Sequence, residues 1–277
     1  PESYRSLADH EFSSEKNEPR VYGLYRKNWG LTDPETVRNY IIANILQYEL
    51  LDEAIGHLLE YLRQSGQFDN TWIFFLGDHG EMNGRSALVD KGAYLNPRVL
   101  RTPFVVKPAP GGGRSRTTNR TVRTPISLLD LSPTILSIAG ISHGERADGM
   151  NLVPMLDGSE TSRPADRPIL SEIWSHVMPN PAVSMVFTFT DGRQYMLTYN
   201  GTDPNDELYD VDESSIELRN RSHDPAYQPV FDYGLGELER VLSADQRWRS
   251  YLNFIRLEYA DRFPHVGGDR QHFSREV

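Results

Sequence analysis

A short apolar run that ends in charged residues constrains the fold of this chain more than any other stretch. Trp72 to Leu76 read WIFFL, follow the turn-forming residues DNT, and lead directly into Gly77, Asp78 and His79. A continuous apolar run bounded by turn residues predicts a central strand that is buried on both faces, as in a parallel sheet. We therefore expect an α/β layer structure in which Asp78 and His79 follow the end of a strand.

Regular elements are expected on both sides of this strand. Before it, LTDPETVRNYIIANILQYELLDEAIGHLLEYLRQSG has apolar residues at helical spacing, with Thr32 and Glu35 at the spacing of a capping box. After it, a second strand is expected around residues 104–106. SLLDLSPTILSIAGI predicts a helix with Ser132 near its cap. Residues 1–30 read as irregular.

The pattern changes near residues 157–168. VSMVFTFTDGRQYMLTYN alternates apolar and polar residues around Asp191 and Gly192, which is a strong hairpin signal. LGELERVLSADQRWRSYLNFIRLEYADRF, which begins at Leu235, predicts a helix that packs on this sheet or on the main domain. We therefore expect two domains: residues 1–165 as the α/β part, and residues 166–277 as a small antiparallel sheet with a helix.

Composition limits the partners of the chain. It has 277 residues, a formal net charge of −10 and no cysteine. Disulfides and thiolate zinc sites are excluded, and a broad nucleic-acid-binding face is not expected because neutralising phosphates requires clustered Lys and Arg. No apolar run reaches the ~20 residues that a membrane-spanning helix needs. The compartment stays open.

Three residues near the first strand suggest chemistry. Asp78 and His79 offer an oxygen and an imidazole nitrogen, which suit a divalent cation, but two ligands do not complete a site. Lys91 follows shortly after and would repel a metal unless an anion lay between them. Together they suggest a sulfate or phosphate ester held between two cations. Alternatively, the pair forms an ordinary turn and Lys91 is a surface lysine.

The order of motifs resembles the C-terminal part of a sulfatase, a family of the alkaline phosphatase superfamily. The resemblance covers roughly residues 32–220 and rests on seven pieces in order: the long helix, DNTWIFFLGDHGE, Lys91, LRTPFVVK, LLDLSPTILSIAGI, ADGMNLVPMLDG and ELYDVDES. It implies a large α/β domain with a mixed central sheet, of which this chain holds part, plus a small C-terminal antiparallel sheet carrying a packed helix.

The resemblance also implies roles for the three residues. Asp78 and His79 match half of a metal site, most often for calcium, although members with His at this position include some that prefer manganese or a similar metal. Lys91 matches the lysine that contacts the sulfate and the ester oxygen of the leaving group. The implied substrate is a small-molecule or glycan sulfate ester, cleaved by a sulfuric ester hydrolase.

The chain departs from the family pattern in what it lacks. Sulfatases use a formylglycine nucleophile made from Cys or Ser in a C/S-x-P-x-R motif, and this sequence has no such motif. The paired N-terminal aspartates that supply the other metal ligands are missing too. We therefore expect a C-terminal portion whose partner is the missing N-terminal half. Alternatives are a phosphonate or phosphate ester hydrolase of the same superfamily, or a non-catalytic fragment or pseudoenzyme.

Several other polar residues are expected to be structural. Arg98 and Arg101 could line an anionic pocket, but an RTP sequence before a strand favours a scaffold role. Glu81 is a candidate partner for His79 or Lys91. Further acids are expected to occupy caps or exposed turns rather than to bind a cation: Asp130, Asp148, Glu207, Asp210, Asp212 and Glu213.

Overall fold

The structure, a computed structural model, describes residues 18–109, 120–142, 148–159, 168–201, 203, 205–212, 219–244 and 246. Its helices are α1 (Arg20–Asn28), α2 (Pro34–Gln64), α3 (Pro97–Leu100), α4 (Leu131–Ile138), α5 (Val153–Asp157) and α6 (Gln228–Ser243). Its strands are β1 (Ile73–Leu76), β2 (Phe104–Lys107), β3 (Ile169–His176), β4 (Met178–Thr188), β5 (Gln194–Asn200) and β6 (Glu207–Asp210). None of the described helices is both long and apolar enough to cross a membrane.

The chain forms two compact units that are interleaved along the sequence. The first contains the described parts of residues 1–41, 80–101 and 170–277, and the second those of residues 42–79 and 102–169. The division predicted at residue 165 stays a prediction. The mixed α/β class, with an antiparallel sheet toward the C-terminus, is what the elements show.

The second unit contains β1 and β2, which lie where the sequence predicted strands. They pair antiparallel, with Ile73 opposite Lys107 and Leu76 opposite Phe104. The prediction that the first strand is buried on both faces is wrong for the described residues, in which this sheet has two strands. Phe75 of this strand is 40% exposed.

Helix α2 is confirmed, but its cap is not the predicted one. Asp33, rather than Thr32, accepts hydrogen bonds from the backbone N–H of Glu35 and Thr36, at 3.1 and 3.2 Å. The helix ends just before Gly66, the last residue of the stretch that predicted it, which has a φ of +69°, a left-handed conformation that glycine adopts without strain.

Much of the apolar surface of α2 is exposed. Within the described residues, Val37 is the only member of this helix that is buried. A helix that packs on a core normally hides its apolar stripe from water. Exposed large apolar residues of α2 are Ile42, Ile45, Leu46, Tyr48, Leu50, Leu51, Leu58 and Tyr61.

Helix α4 starts earlier than predicted. A 3-10 turn, Leu128–Asp130, leads into it. Ser127 caps this turn, and Asp130, rather than Ser132, occupies the N-cap position of α4. Asp130 is a cap residue, as predicted: its carboxylate accepts from the backbone N–H of Ser127 at 2.8 Å and from that of Met150 at 2.8 Å.

The first unit is built around the sheet β3–β4–β5–β6. The predicted hairpin is confirmed: β4 and β5 pair antiparallel, and the turn contains Gly192 at a φ of +84°. Alternate residues of these strands pack on α6 because side chains of a strand alternate between faces. Gly234 of α6 permits this packing, since a Cβ there would lie 2.7 Å from the ring of Phe187.

Two expectations for the first unit need correction. Residues 20–28 are helical rather than irregular, because Tyr22 and Tyr25 pack into an apolar cluster with Tyr94, at ring distances of 5.0 and 5.4 Å. Helix α6 begins at Gln228, before the predicted start at Leu235. The expected continuation of this helix beyond residue 246 lies outside the described residues.

Candidate active site

Asp78 and His79 follow β1 directly, as predicted. The side chain of Asp78 is 88% exposed and that of His79 is 36% exposed. Oδ1 of Asp78 accepts from the backbone N–H of His79 at 2.9 Å, and Oδ2 lies 3.6 Å from Nε2 of His79. The two side chains therefore lie side by side at an accessible strand end.

The residue after this pair has to be glycine. A Cβ at Gly80 would lie 2.1 Å from the carbonyl oxygen of Arg98, and its backbone N–H donates to the carbonyl of Val99 at 2.5 Å. Only a residue without a side chain allows the backbone to approach so closely. The glycine of DHG is therefore required by backbone packing, independently of any ligand.

No complete metal site is present among the described residues. They contain no group of three or more His, Asp or Glu side chains placed to hold an ion. Asp78 and His79 fit a divalent cation in the chemistry of their donor atoms, but calcium takes about six to eight oxygen ligands. Further ligands would have to come from elsewhere.

Lys91 lies in a segment of unusual backbone conformation. Asp90 before it has a φ of +62° and Gly92 after it has a φ of +53°. Further residues of the same segment are also left-handed, among them Asn83 at a φ of +45° and Ser86 at a φ of +55°. Left-handed residues other than glycine are strained, and such strain concentrates at functional sites.

The segment is held by Tyr94. Its hydroxyl donates to the carbonyls of Val89 and Asp90, at 2.9 and 3.3 Å. Burial, reinforced by nearby Asp90 and Glu81, raises the pKa of Tyr94, so that the hydroxyl remains a donor.

Lys91 belongs to the first compact unit, whereas Asp78 and His79 belong to the second. Their predicted approach to one another stays a prediction.

A buried carboxylate network was missed by the sequence interpretation. Glu207 of β6 is fully buried, and its Oε1 accepts from the hydroxyls of Tyr22 and Tyr209, at 2.6 and 2.5 Å. Oε2 accepts from Nδ2 of Asn200 at 3.2 Å. Burial raises the pKa of Glu207 to about 7, against the opposing effect of these three donors. Asn96 donates to both tyrosine hydroxyls, each at 3.3 Å.

The prediction that Glu207 and Asp210 occupy an exposed turn is wrong. ELYD is the strand β6, and all four of its residues are buried. A signal existed in the sequence, because Leu208 and Tyr209 lie between the acids and favour a strand. Asp212 is exposed, as predicted, and Glu213 lies outside the described residues.

The remaining candidates have structural contacts. A guanidinium N–H of Arg101 donates to the carbonyl of Val211, which favours the scaffold interpretation. Arg98 is partly buried, and desolvation lowers its pKa. The carboxylate of Glu81 accepts from the backbone N–H of Asn83 at 3.0 Å, while its predicted role beside His79 or Lys91 stays a prediction.

Comparison with known proteins places this chain in a family. Residues 22–141 match the model of the sulfatase family, and residues 84–243 match that of the C-terminal region of N-sulphoglucosamine sulphohydrolase. The choline-sulfatase of Rhizobium meliloti (strain 1021) is 31% identical over 207 residues, which cover 72% of this chain and 36% of that protein.

Solved structures show the same fold. BT1596, a 2-O GAG sulfatase, has a TM-score of 0.65 at 24% identity, covering 79% of this chain and 46% of that one. The phosphonate monoester hydrolase SpPMH of Silicibacter pomeroyi has a TM-score of 0.53 at 25% identity. The match covers 70% of this chain and 39% of that one. The chain thus spans less than half the length of each of these three relatives. It belongs to the sulfatase family of the alkaline phosphatase superfamily.

Proposed function

We propose that this chain is the C-terminal portion of a sulfuric ester hydrolase. The observation that carries the proposal is the match to two sulfatase-family models that together run from Tyr22 to Ser243 and include Asp78, His79 and Lys91. The substrate would be a small-molecule or glycan sulfate ester. The named substrates of the relatives do not agree with one another, so the proposal goes no further than this class.

Lys91 is the group of this chain that acts on the ester. Its ammonium contacts a sulfate oxygen and the ester oxygen, where negative charge develops as the S–O bond breaks. It can also donate a proton to that oxygen, so that the alcohol leaves in neutral form. Asp90, directly before Lys91, has a φ of +62°, and a strained conformation of this kind supports a functional role for the segment that carries the lysine.

Asp78 and His79 would hold a divalent cation, with calcium first and manganese or a similar metal second. Their donor atoms and exposure fit such an ion. The metal, when bound, polarises the sulfate oxygens as a Lewis acid. The residues of this chain contribute one carboxylate and one imidazole, and the other ligands and the nucleophile come from the remainder of the sulfatase domain.

That remainder is the proposed partner of this chain. The apolar side chains exposed on α2, together with Phe75 of β1 and Val105 of β2, at 40% and 60% exposure, form surfaces that a sulfatase domain of full length would bury. The relatives are more than twice as long as the matched segment, which leaves enough chain to cover them.

The first experiment is to read the coding DNA upstream of Pro1. An open frame that encodes paired aspartates followed by C/S-x-P-x-R supports the proposal, and the encoded polypeptide should then hydrolyse 4-nitrophenyl sulfate. A frame without those residues refutes catalysis by this chain and favours the non-catalytic alternative.

A phosphonate or phosphate ester hydrolase is the second candidate function. The fold similarity to a phosphonate monoester hydrolase favours it. The same polypeptide should be assayed with 4-nitrophenyl sulfate and with 4-nitrophenyl phenylphosphonate. A higher kcat/KM for the phosphonate would replace the first candidate with the second.

A further inference from the structure

We propose that His176 is a positioning residue for Lys91 and acts through the carboxylate of Asp90. The inference rests on the proposed function for the role of Lys91, although the contact itself does not. Nε2 of His176 lies 3.2 Å from Oδ2 of Asp90, the residue that precedes Lys91. Because an ionised carboxylate can only accept, we assign the proton of this contact to Nε2 of His176.

His176 is itself fixed in place. Its carbonyl accepts a hydrogen bond from the hydroxyl of Tyr25 in the buried part of α1. The next residue, Val177, has a φ of +62° and is 70% exposed. A β-branched residue in this conformation is a genuine outlier, and its exposure shows that packing does not require it there. The strained link between β3 and β4 therefore serves the placement of neighbouring groups.

Two strained backbone segments thus meet at one side-chain contact. On one side is Val177, directly after His176, and on the other is Asp90, directly before Lys91. Backbone strain persists where the surrounding contacts determine a conformation strongly. The Asp90–His176 contact and the hydrogen bonds from the Tyr94 hydroxyl to Val89 and Asp90 hold Asp90 in its strained conformation.

The contact is the first of a series. Residues 90–96, which include Lys91, cross the C-terminal sheet, and each of its four strands contributes one polar side chain to this segment. Asn180 of β4 donates to the carbonyl of Ala93 at 2.5 Å, and Thr198 of β5 donates to that of Leu95 at 3.1 Å. On β6, the hydroxyl of Tyr209 accepts from Nδ2 of Asn96 at 3.3 Å.

The order along the segment, residues 90, 93, 95 and 96, follows the order of the strands, β3, β4, β5 and β6. The sheet therefore fixes the register of this segment from end to end. Of the four contacts, the one made by His176 acts closest to Lys91, because Asp90 directly precedes the lysine. Loss of His176 should release Asp90 while the other three contacts hold. The consequence is a local loosening at Lys91 rather than unfolding.

The direct test is backbone amide hydrogen exchange in the 277-residue chain. The backbone N–H of Met82 donates to the carbonyl of Asp90 at 3.3 Å and reports on its position. In His176→Ala we expect exchange about tenfold faster at Met82 and around Lys91, as for the loss of one charged hydrogen bond. His176→Gln can still donate to Asp90 and should restore slow exchange. Exchange in His176→Ala equal to that of the wild type would overturn the proposal.

His223 provides a matched control, since it is exposed and lies in the same unit. His223→Ala should leave exchange at Met82 unchanged. An equal increase in His223→Ala would mean that the probe reports general destabilisation, which counts against the proposal. Thermal unfolding of each variant shows that it is folded during the measurement.

A second measurement tests the functional consequence in the polypeptide of full length. His176→Ala should lower kcat for sulfate ester hydrolysis by about ten- to a hundredfold, the effect of a small misplacement, and change KM much less. In a Lys91→Ala background the same substitution should cause no further loss, because His176 acts only through Lys91. Additive losses would overturn the proposal.

The proposed hydrolase function and the positioning role of His176 can be refuted separately. A wild-type polypeptide that hydrolyses no sulfate ester refutes the proposed function, while the exchange experiment still decides whether His176 positions Lys91. Normal hydrolysis with unchanged exchange in His176→Ala refutes the positioning role alone.

Discussion

Lys91 illustrates how much of a site a sequence can reveal at the scale of the residue. Its identity and its distance from Asp78 and His79 along the chain suggested an anionic substrate. Nothing in the sequence pointed to Asp90 or His176, because their contact joins residues 86 positions apart and depends on the fold of the C-terminal sheet. Long-range polar pairs of this kind have no local pattern.

Lys91→Ala should lower kcat/KM for sulfate ester hydrolysis by about 10²- to 10³-fold, in line with removal of one preorganised donor. If Lys91 assists the leaving group, the loss should be larger for an alkyl sulfate than for 4-nitrophenyl sulfate, whose phenolate departs without help. Steady-state kinetics with both substrates check this. Lys27→Ala, at an exposed position of α1, is the control. Equal losses on both substrates would contradict a leaving-group role.

Glu207 makes stability depend on pH in the direction opposite to an ordinary paired carboxylate. Its folded-state pKa is raised to about 7, above the value of 4.5 for the unfolded chain. The folded state therefore binds the proton more tightly, and the contribution of Glu207 to stability is present below pH 4.5 and is lost as the pH rises through 7. The full effect is about 3 kcal/mol.

Glu207→Gln should abolish this dependence, since the amide cannot ionise and fills nearly the same volume. We expect the free energy of unfolding of the wild type to fall between pH 5 and pH 8 relative to that of the variant. Chemical denaturation at several pH values measures the difference. Glu53→Gln, at an exposed position of α2, should follow the wild type. Parallel curves for the wild type and Glu207→Gln would show that Glu207 does not titrate in this range.

At the scale of the element, the sequence predicted those features that depend on local pattern. The long helix, both short strands and the hairpin at Gly192 were found where periodicity and turn residues indicated them. Helix α1 was missed because its nine residues, RVYGLYRKN, form a helix through packing of their tyrosines rather than through a strong pattern. The burial of β1 was overestimated because burial depends on what covers a strand.

The link between β3 and β4 offers a test of stored strain. Val177→Asn should raise the free energy of unfolding by about 1 kcal/mol, because asparagine tolerates the left-handed conformation that costs valine energy. The side chain of Val177 is 70% exposed, so little packing is lost. Denaturant titration measures the change. Val105→Asn, at a similarly exposed strand position with 60% exposure, should not stabilise the chain. A decrease in stability for Val177→Asn would contradict this account.

At the scale of the whole molecule, the apolar residues exposed on α2 predict self-association of the isolated chain. Sedimentation velocity should show oligomers that increase with concentration, since large exposed apolar patches drive association. Replacing Leu46 and Leu50, at 54% and 69% exposure, with lysine should shift the distribution toward the monomer. The matched control is Leu24→Lys, at 49% exposure on the separate helix α1. A monomeric wild type at high concentration would contradict the prediction.

The isolated chain should also bind calcium weakly. Asp78 and His79 supply two ligands, against the six to eight oxygens that calcium prefers, so we expect a Kd above about 1 mM. Calorimetric titration of the 277-residue chain tests this, with Asp78→Ala as the comparison. Tight binding that Asp78→Ala abolishes would mean that the chain carries a fuller site than the proposed half.

The run of contacts across the C-terminal sheet has a consequence for how the molecule is made. Leu95 and Asn96 meet partners 103 and 113 residues later in the chain, at Thr198 and Tyr209. At about 5–20 residues per second, a ribosome needs roughly 6–23 s to add that length. The lysine segment therefore emerges long before the strands that hold it. Until β6 has been synthesised, the segment lacks its contact with Tyr209, and before β3 appears its left-handed residues rely on local contacts such as those of the Tyr94 hydroxyl.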